Sequence, residues 1–316
     1  MNESSRLVSV GLPTHNRLDR LRVAVASVLS QDYPEIELVI SDNASSDGTE
    51  AFGRQLERQH PGRVRYLRSA RNEGATVNFN RARSACTGDY VMWLGDDDEL
   101  GPGYLAACVS LLEARPDAAL VGGSVRYVDD SVTVRDGDIV VCDGPDAAER
   151  VLDYFRQVGD NGVFYGITRS SVAAGLQPLR NVMGNDWQLM AAVAYAGPIL
   201  QAEQVEVRRS TGGATRSLMH VARSSGMTWF EGEFPQVAIA WFVLRDVGWS
   251  SPVYRDRPVL ARLGLGLWAA AIVARRFVIP RIPDYLRRLV DRAVGWRRRL
   301  DQLPARRRRR SGLPAD

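Results

Sequence analysis

The sequence predicts an α/β fold: a mainly parallel sheet flanked by helices, followed by an α-helical C-terminal extension. Between Leu7 and Leu94, apolar β-branched runs alternate with segments of helical period. Polar clusters close the strands, and beyond residue 226 the strand signals give way to long apolar stretches and then to a run of arginines.

Residues Leu7 to Leu12 alternate like a buried strand, which Pro13-Thr14-His15-Asn16-Arg17 breaks. From Leu18 to Ser30 the apolar positions Leu21, Val25, Val28 and Leu29 recur at helical spacing, and Tyr33-Pro34 ends that helix. Ile36 to Ser41 reads as a second strand. The polar loop Asp42-Asn43-Ala44-Ser45-Ser46-Asp47-Gly48-Thr49 then feeds a helix to about Gln59, with Ser46 or Asp47 placed to cap it. Val64 to Leu67 is a third strand, Asn72-Glu73-Gly74 a turn and Ala75 to Ala85 a helix. Tyr90 to Leu94 is the fourth strand, and it runs into Gly95-Asp96-Asp97-Asp98-Glu99. In sheets of this rhythm ligands sit outside the carboxyl ends of the strands, where the clusters 13–17, 42–49 and 96–99 all fall.

Adjacent carboxylates repel one another, so three Asp gathered at a strand end call for a compensating cation. Asp oxygens with no Cys nearby and few His suit a hard divalent ion, Mg²⁺ or Mn²⁺, that keeps positions open for phosphate oxygens. In isolation the run reads equally as a solvated acidic turn. Its place downstream of two other polar strand ends favours a metal–nucleotide site.

Length and composition allow one large domain or a core with an extension. Cys86, Cys108 and Cys142 have no metal-ligand spacing and read as reduced residues of a cytosolic protein. Met1 to Arg6 is polar and carries no secretory-signal pattern, so the expected location is cytoplasmic. The net charge of +4 hides an asymmetry: fourteen Arg stand against three Asp between Arg275 and Arg310, and the rest of the chain is acidic. There is no Lys.

Taken in series, Pro13-Thr14-His15-Asn16-Arg17, Ser41-Asp42-Asn43-Ala44-Ser45-Ser46-Asp47-Gly48-Thr49, Asn72-Glu73-Gly74 and Gly95-Asp96-Asp97-Asp98 resemble the N-terminal half of family 2 glycosyltransferases over about residues 6–210. The resemblance implies the GT-A fold, with its Rossmann-like sheet, and a nucleotide-diphosphate sugar as donor. It implies that Pro13, Thr14 and Arg17 line the nucleotide pocket and that Asp42 accepts from a pyrimidine N3–H, which points to UDP or dTDP. An Asx turn capping the next helix is the plain alternative for Asp42. Asp47 and Gly48 read as turn and cap chemistry. Asn72 and Gly74 could let the backbone approach the ribose, or form a simple turn. Asp98 is the implied metal ligand, Asp97 the ribose contact, and Asp96 lies near the site. Many family members have Asp where this chain has Gly95, which leaves the register of the run open by one position.

Met183-Gly184-Asn185-Asp186-Trp187, ahead of the helical stretch Leu189 to Tyr195, resembles the family's Glu-Asp motif with Asn185 in place of Glu. Asp186 is thus the implied catalytic base of an inverting transfer, with a helix N-cap as the alternative. Trp187 suits a sugar platform or the core equally. The stretch Arg208 to Arg216 reads as a mobile loop near the pyrophosphate, and His220 as a surface residue.

Residues 1–226 are therefore expected to form the catalytic domain, 227–304 a basic helical extension and 305–316 a disordered Arg-rich tail. Trp229 to Val247 and Pro258 to Ala274 read as apolar helices. Arginines interleaved with Phe277, Tyr285, Leu289 and Trp296 suit an anionic membrane surface and, with it, a glycan or lipid-linked acceptor in cell-envelope assembly. Nucleic acid is not expected as a partner, since no base-reading fold accompanies the basic region. Two other classes compete: a nucleotidyltransferase, which usually needs a Gly-rich basic loop absent from Leu12 to Arg17, and a non-catalytic scaffold, against which Asp42, Asp98 and Asp186 together argue.

Overall fold

The computed structural model of the chain describes residues 6–129, 132–211 and 218–290. The first unit is β1 (Val8–Thr14), α1 (Leu18–Leu29), β2 (Ile36–Asp42), α2 (Thr49–Gln59), β3 (Val64–Arg68), α3 (Ala75–Ser84) and β4 (Tyr90–Trp93). Its strands pair in parallel in the order β3-β2-β1-β4. β1 and β2 are buried along their whole length, as expected of strands covered on both faces.

The second unit is β5 (Asp98–Leu100), α4 (Tyr104–Ala114), β6 (Leu120–Asp129), β7 (Val132–Asp136), α5 (Ala147–Gln157), β8 (Ile167–Arg169), α6 (Ser170–Gly175), α7 (Asn185–Ala196) and β9 (Ile199–Ser210). It extends the sheet through β4-β8-β6-β9-β5, with β7 paired to β6. β8 is antiparallel to β4 and β6, and β5 is antiparallel to β9, so the added half is mixed.

β1 runs two residues further than the sequence suggests, through Pro13 and Thr14. Pro13 is tolerated because its missing N–H lies on the β4 side, where pairing ends at Gly11 opposite Trp93. The two strand ends are tied by Asn78 of α3, which is buried. It donates to the Thr14 carbonyl at 3.2 Å and the Ser41 carbonyl at 2.9 Å, and accepts from the Ser41 hydroxyl at 2.7 Å.

Among the described residues α8 (Leu218–Ser224), α9 (Trp229–Glu233), α10 (Pro235–Arg245) and α11 (Val259–Val273) follow, and helix continues beyond α11 to Val290. The single helix expected over Trp229 to Val247 is broken, because Pro235 has no N–H to continue α9 and instead opens α10. α10 runs on through a π-helical turn, Asp246–Ser250. Arg208, Arg209 and Ser210 lie in β9 rather than in a loop, since their backbone pairs with both β5 and β6. The glycines expected to form that loop, and the tail from residue 305, lie outside the described residues.

Asn78→Ala should cost about 1–2 kcal/mol in urea unfolding, because the buried Ser41 hydroxyl loses its acceptor and the Thr14 carbonyl keeps only the Asn43 N–H. A loss below about 0.5 kcal/mol would mean the strand ends hold without this tie.

Candidate active site

The acidic run closes in a tight turn, with the Asp98 N–H donating to the Gly95 carbonyl at 3.2 Å. A Cβ on Gly95 would stand 2.7 Å from an Asp98 carboxylate oxygen and 3.2 Å from one of Asp97, so a larger residue there would displace those carboxylates. Asp96 and Asp97 form the turn, and Asp98 opens β5. The Thr14 hydroxyl donates to Asp96 at 2.8 Å, and the Arg17 guanidinium reaches Asp96 at 3.1 Å and Asp97 at 2.9 Å. Burial raises the Asp96 pKa, and the Arg17 charge opposes that rise.

Asp98 is buried and meets β9. Its register partner is Arg209, whose Nε lies 3.6 Å from one carboxylate oxygen, while the Ser210 N–H donates to the other at 3.1 Å. Burial pushes the Asp98 carboxyl upward, and the Arg209 charge and the Tyr165 hydroxyl pull against it. Arg209 sits over two rings, 4.9 Å from the Tyr165 centroid and 5.3 Å from that of Tyr127. Its Nε is buried with no hydrogen-bond acceptor among the described residues.

Asp42, at the end of β2, is fully buried. One oxygen accepts the Ser45 N–H at 2.8 Å, as in an Asx-type turn; the other accepts from the Tyr66 hydroxyl and from Arg68, both at 2.6 Å. Burial alone would raise its pKa, but these donors outweigh it and hold the carboxyl below the ordinary range. Asp47 accepts from the backbone of Leu18 at 2.9 Å and of Thr49 at 3.3 Å, so it serves the starts of both α1 and α2; Ser46 caps neither. Asn43 gathers the third cluster, donating to the Asn72 side chain at 2.7 Å and the Gly74 carbonyl at 3.2 Å. His15 joins it through Nε2, 3.1 Å from the Asn72 amide. Pro13 thus borders the same strand-end region as Thr14, Arg17, Asp42 and Asp96.

Asp186 lies in the first turn of α7 without capping it, since Gly184, at φ +74°, holds the N-cap position. A Cβ on Gly184 would stand 2.8 Å from Ile239 of α10, so close packing and backbone conformation both require glycine there. Asp186 keeps part of its surface open at the cleft. Its surroundings are nevertheless dense enough that burial raises its pKa, which a hydrogen bond from the Asn161 amide at 2.9 Å moderates. Asn161, buried and at φ +54°, accepts in turn from the Tyr154 hydroxyl at 2.8 Å. The Arg209 charge also lowers the Asp186 pKa, as the least of its causes. Trp187 is buried against Phe277, with ring centroids 5.2 Å apart, and belongs to the core. His220 is exposed on α8.

Sequence reading missed Asn161, Tyr154, Tyr165 and the Tyr66–Arg68 pair. The only local signal was the Asp160-Asn161-Gly162 turn, because the others act through contacts distant along the chain. Among the described residues no three His, Cys, Asp or Glu converge to hold an ion unaided. The donor chemistry still fits Mg²⁺ or Mn²⁺: Asp98 is a buried carboxylate with a raised pKa, and the cation beside it makes no hydrogen bond through its nearest nitrogen. Asp98 is the residue that would hold such an ion, with donor phosphates completing the shell.

A mixed sheet with acidic clusters at its strand ends is the arrangement expected of the GT-A fold, and comparison with known proteins agrees. The family model described as "Glycosyl transferase family 2" matches residues 9–172. A β-1,3-glucosyltransferase of GalNAc(5)-diNAcBac-PP-undecaprenol from Campylobacter jejuni is 35% identical over 100 residues, which is 31% of this chain and 32% of that protein. The abequosyltransferase RfbV of Salmonella typhimurium is 34% identical over 116 residues, 36% of this chain and 35% of its own. The chain thus spans about a third of the length of these curated relatives. Among solved structures, S. aureus TarS residues 1–349 match with a TM-score of 0.53 at 15% identity, covering 84% of this chain and 81% of that one. The mannosyltransferase PcManGT from Pyrobaculum calidifontis, solved with GDP-Man and Mn²⁺, matches at 0.54 and 18% identity, covering 93% and 81%. This chain belongs to glycosyl transferase family 2 and has the GT-A fold.

The depressed Asp42 pKa stabilises the fold above the unfolded carboxylate value, and that stability disappears as pH falls through the folded value. Tyr66→Phe should remove about 1 kcal/mol at neutral pH and move the Asp42 titration upward, read by carboxyl-carbon NMR. An unmoved titration would mean that Ser45 and Arg68 suffice.

Proposed function

We propose that the chain is a metal-dependent, inverting glycosyltransferase that moves a sugar from a nucleoside-diphosphate sugar to a hydroxyl acceptor in cell-envelope or surface glycan assembly. The observation that carries this is the acidic run at the strand end, where Thr14 and Arg17 hold Asp96 and Asp97 and Asp98 opens β5 opposite Arg209.

At the donor end, Pro13, Thr14 and Arg17 line the nucleotide pocket. Asp42 is the acceptor for the pyrimidine N3–H; it lies fully buried beneath donors from the Ser45 backbone, Tyr66 and Arg68, so the base reaches it only when one of these side chains moves aside. That choice favours UDP or dTDP over an adenine donor, whose base has no ring N–H on that edge. Asn72 and Gly74 border the ribose, Asp97 contacts it, Asp96 holds Arg17, and Asp98 takes Mn²⁺ or Mg²⁺. The ion, when bound, neutralises charge on the leaving pyrophosphate.

At the acceptor end, Asp186 receives the hydroxyl proton as the acceptor oxygen bonds to the sugar's anomeric carbon. The bond from that carbon to the phosphate oxygen breaks on the opposite face, so the configuration inverts and the nucleoside diphosphate leaves. Asn161 keeps Asp186 ionised and aimed. The Campylobacter relative's name describes an undecaprenol-linked substrate, which supports a lipid-linked glycan as acceptor here. The enzyme then works in the cytoplasm at the inner face of the membrane, touching it through the basic region after residue 226, which divides extension from catalytic domain.

Asp98→Ala should abolish transfer and weaken Mn²⁺-dependent nucleoside-diphosphate binding. Asp186→Asn should lower turnover on the order of 10²–10⁴-fold and spare that binding. Full activity in Asp186→Asn would refute the base assignment. In Asn161→Ala the Asp186 pKa loses a restraint and rises further, so the acidic limb of kcat/KM should shift to higher pH. A limb that stays in place would remove Asn161 from the mechanism.

A further inference from the structure

α11 does not stop at Val273. It continues through a π-helical turn, Ala274–Val278, and a 3-10 turn, Ile279–Arg281, into helix as far as Val290. This Val259–Val290 run is long and apolar enough to cross a membrane by length and composition, with only 22% of its most apolar window buried. Its inner face is already engaged. Leu265, Gly266, Ala269 and Val273 are buried, and Gly266 rides so close on α10 that a Cβ would stand 3.0 Å from the Gly248 nitrogen and the Leu244 carbonyl. Arg276 donates to the carbonyls of Phe155 at 2.7 Å and Val158 at 2.6 Å, and Phe277 packs on Trp187. A helix bonded to a folded domain along one side cannot be enclosed by lipid, and its length of about 48 Å exceeds the roughly 30 Å hydrocarbon core.

The outer face is different. Leu260 is 82% exposed and Trp268 68%, and Leu267, Ile282, Leu286 and Leu289 are open as well. The spacing 260, 267, 268 and then 282, 286, 289 keeps them on a stripe of helical period. Arg275, Arg281 and Arg287 are exposed along the same run, and the arginine excess of the sequence begins there. On the adjoining segment Trp241 and Trp249 are half exposed and touch, with centroids 6.1 Å apart. An apolar stripe with interfacial Trp and flanking Arg is complementary to an anionic leaflet, with cations at headgroup depth and side chains below.

We propose that the outer face of the Val259–Val290 helix lies in the plane of an anionic bilayer leaflet as the docking surface of this enzyme. Its inner face carries the consequence. Arg276 closes the C-terminal end of α5, which leads to Asn161, and Phe277 abuts Trp187 beside Asp186, so the lipid-bound helix also supports the acceptor side of the cleft. That consequence rests on the glycosyl-transfer reading, whereas the docking itself does not.

The test is co-sedimentation of the full chain with vesicles of phosphatidylcholine alone and of phosphatidylcholine with 30% phosphatidylglycerol, run beside Asp186→Asn. Wild type should bind the anionic vesicles at least about tenfold more tightly, and less so at high salt. Leu267→Glu with Trp268→Glu should lose that binding at least about tenfold, with circular dichroism and nucleoside-diphosphate binding retained. Arg281→Glu with Arg287→Glu should weaken it by about fivefold or more per arginine. Binding unchanged in both double variants would overturn the proposal, as would equal binding to both vesicle types. So would a wild-type dimer that ignores vesicles and becomes monomeric in the Leu267→Glu, Trp268→Glu protein. Asp186→Asn should dock like wild type: if it docks and stays active, the base assignment fails and the docking surface stands.

Discussion

Three consecutive carboxylates at the end of a central strand repel one another, and holding them there sets the terms for the rest of the site. The fold supplies two guanidinium groups from distant parts of the chain. Arg17, just after β1, binds Asp96 and Asp97, while Arg209, near the end of β9, faces Asp98. The second pairing is written into the sheet, because β5 and β9 run antiparallel with Asp98 opposite Arg209 and Glu99 opposite Arg208. Moving that register by one residue would turn Arg209 away and leave a buried carboxylate without its cation. The antiparallel edge added to the parallel half is therefore what makes the acidic cluster tolerable.

The C-terminal helices pack around the start of α7, where Asp186 lies. Glu231 of α9 accepts the Met183 N–H at 2.9 Å, Ile239 of α10 packs against Gly184, and Phe277 covers Trp187. Each contact falls within a few residues of Asp186. Buttressing of this kind suits a group that must keep one aim while staying partly open to an acceptor. The extension is thus continuous with the core around the acceptor side, even though the sequence marks it as a change of composition.

Much of the parallel half was legible because its determinants are local. β-Branched runs, helical spacing and the strand-end clusters at 13–17, 42–49 and 96–99 lie within single windows of sequence, and their order carries the family resemblance. Less legible were Pro13 inside β1, tolerated only because its neighbouring strand ends at Trp93, and the break at Pro235, where an unbroken apolar pattern outweighed a single residue. Arg208 to Ser210 read as loop because polar, charged residues on a strand carry no period; their strand identity comes from the two partners on either side.

By itself the sequence determined the α/β class and the order of the strand-end clusters. Only the tertiary structure decided the local shape of the acidic run, a turn at Asp96 and Asp97 that leads into β5. It also decided which groups compensate each carboxylate: Tyr66 and Arg68 for Asp42, Arg209 for Asp98 and Asn161 for Asp186. The division has a physical cause. Periodicity and turn chemistry act over a few residues, whereas the pairing of buried charges is set by which strands and helices lie side by side.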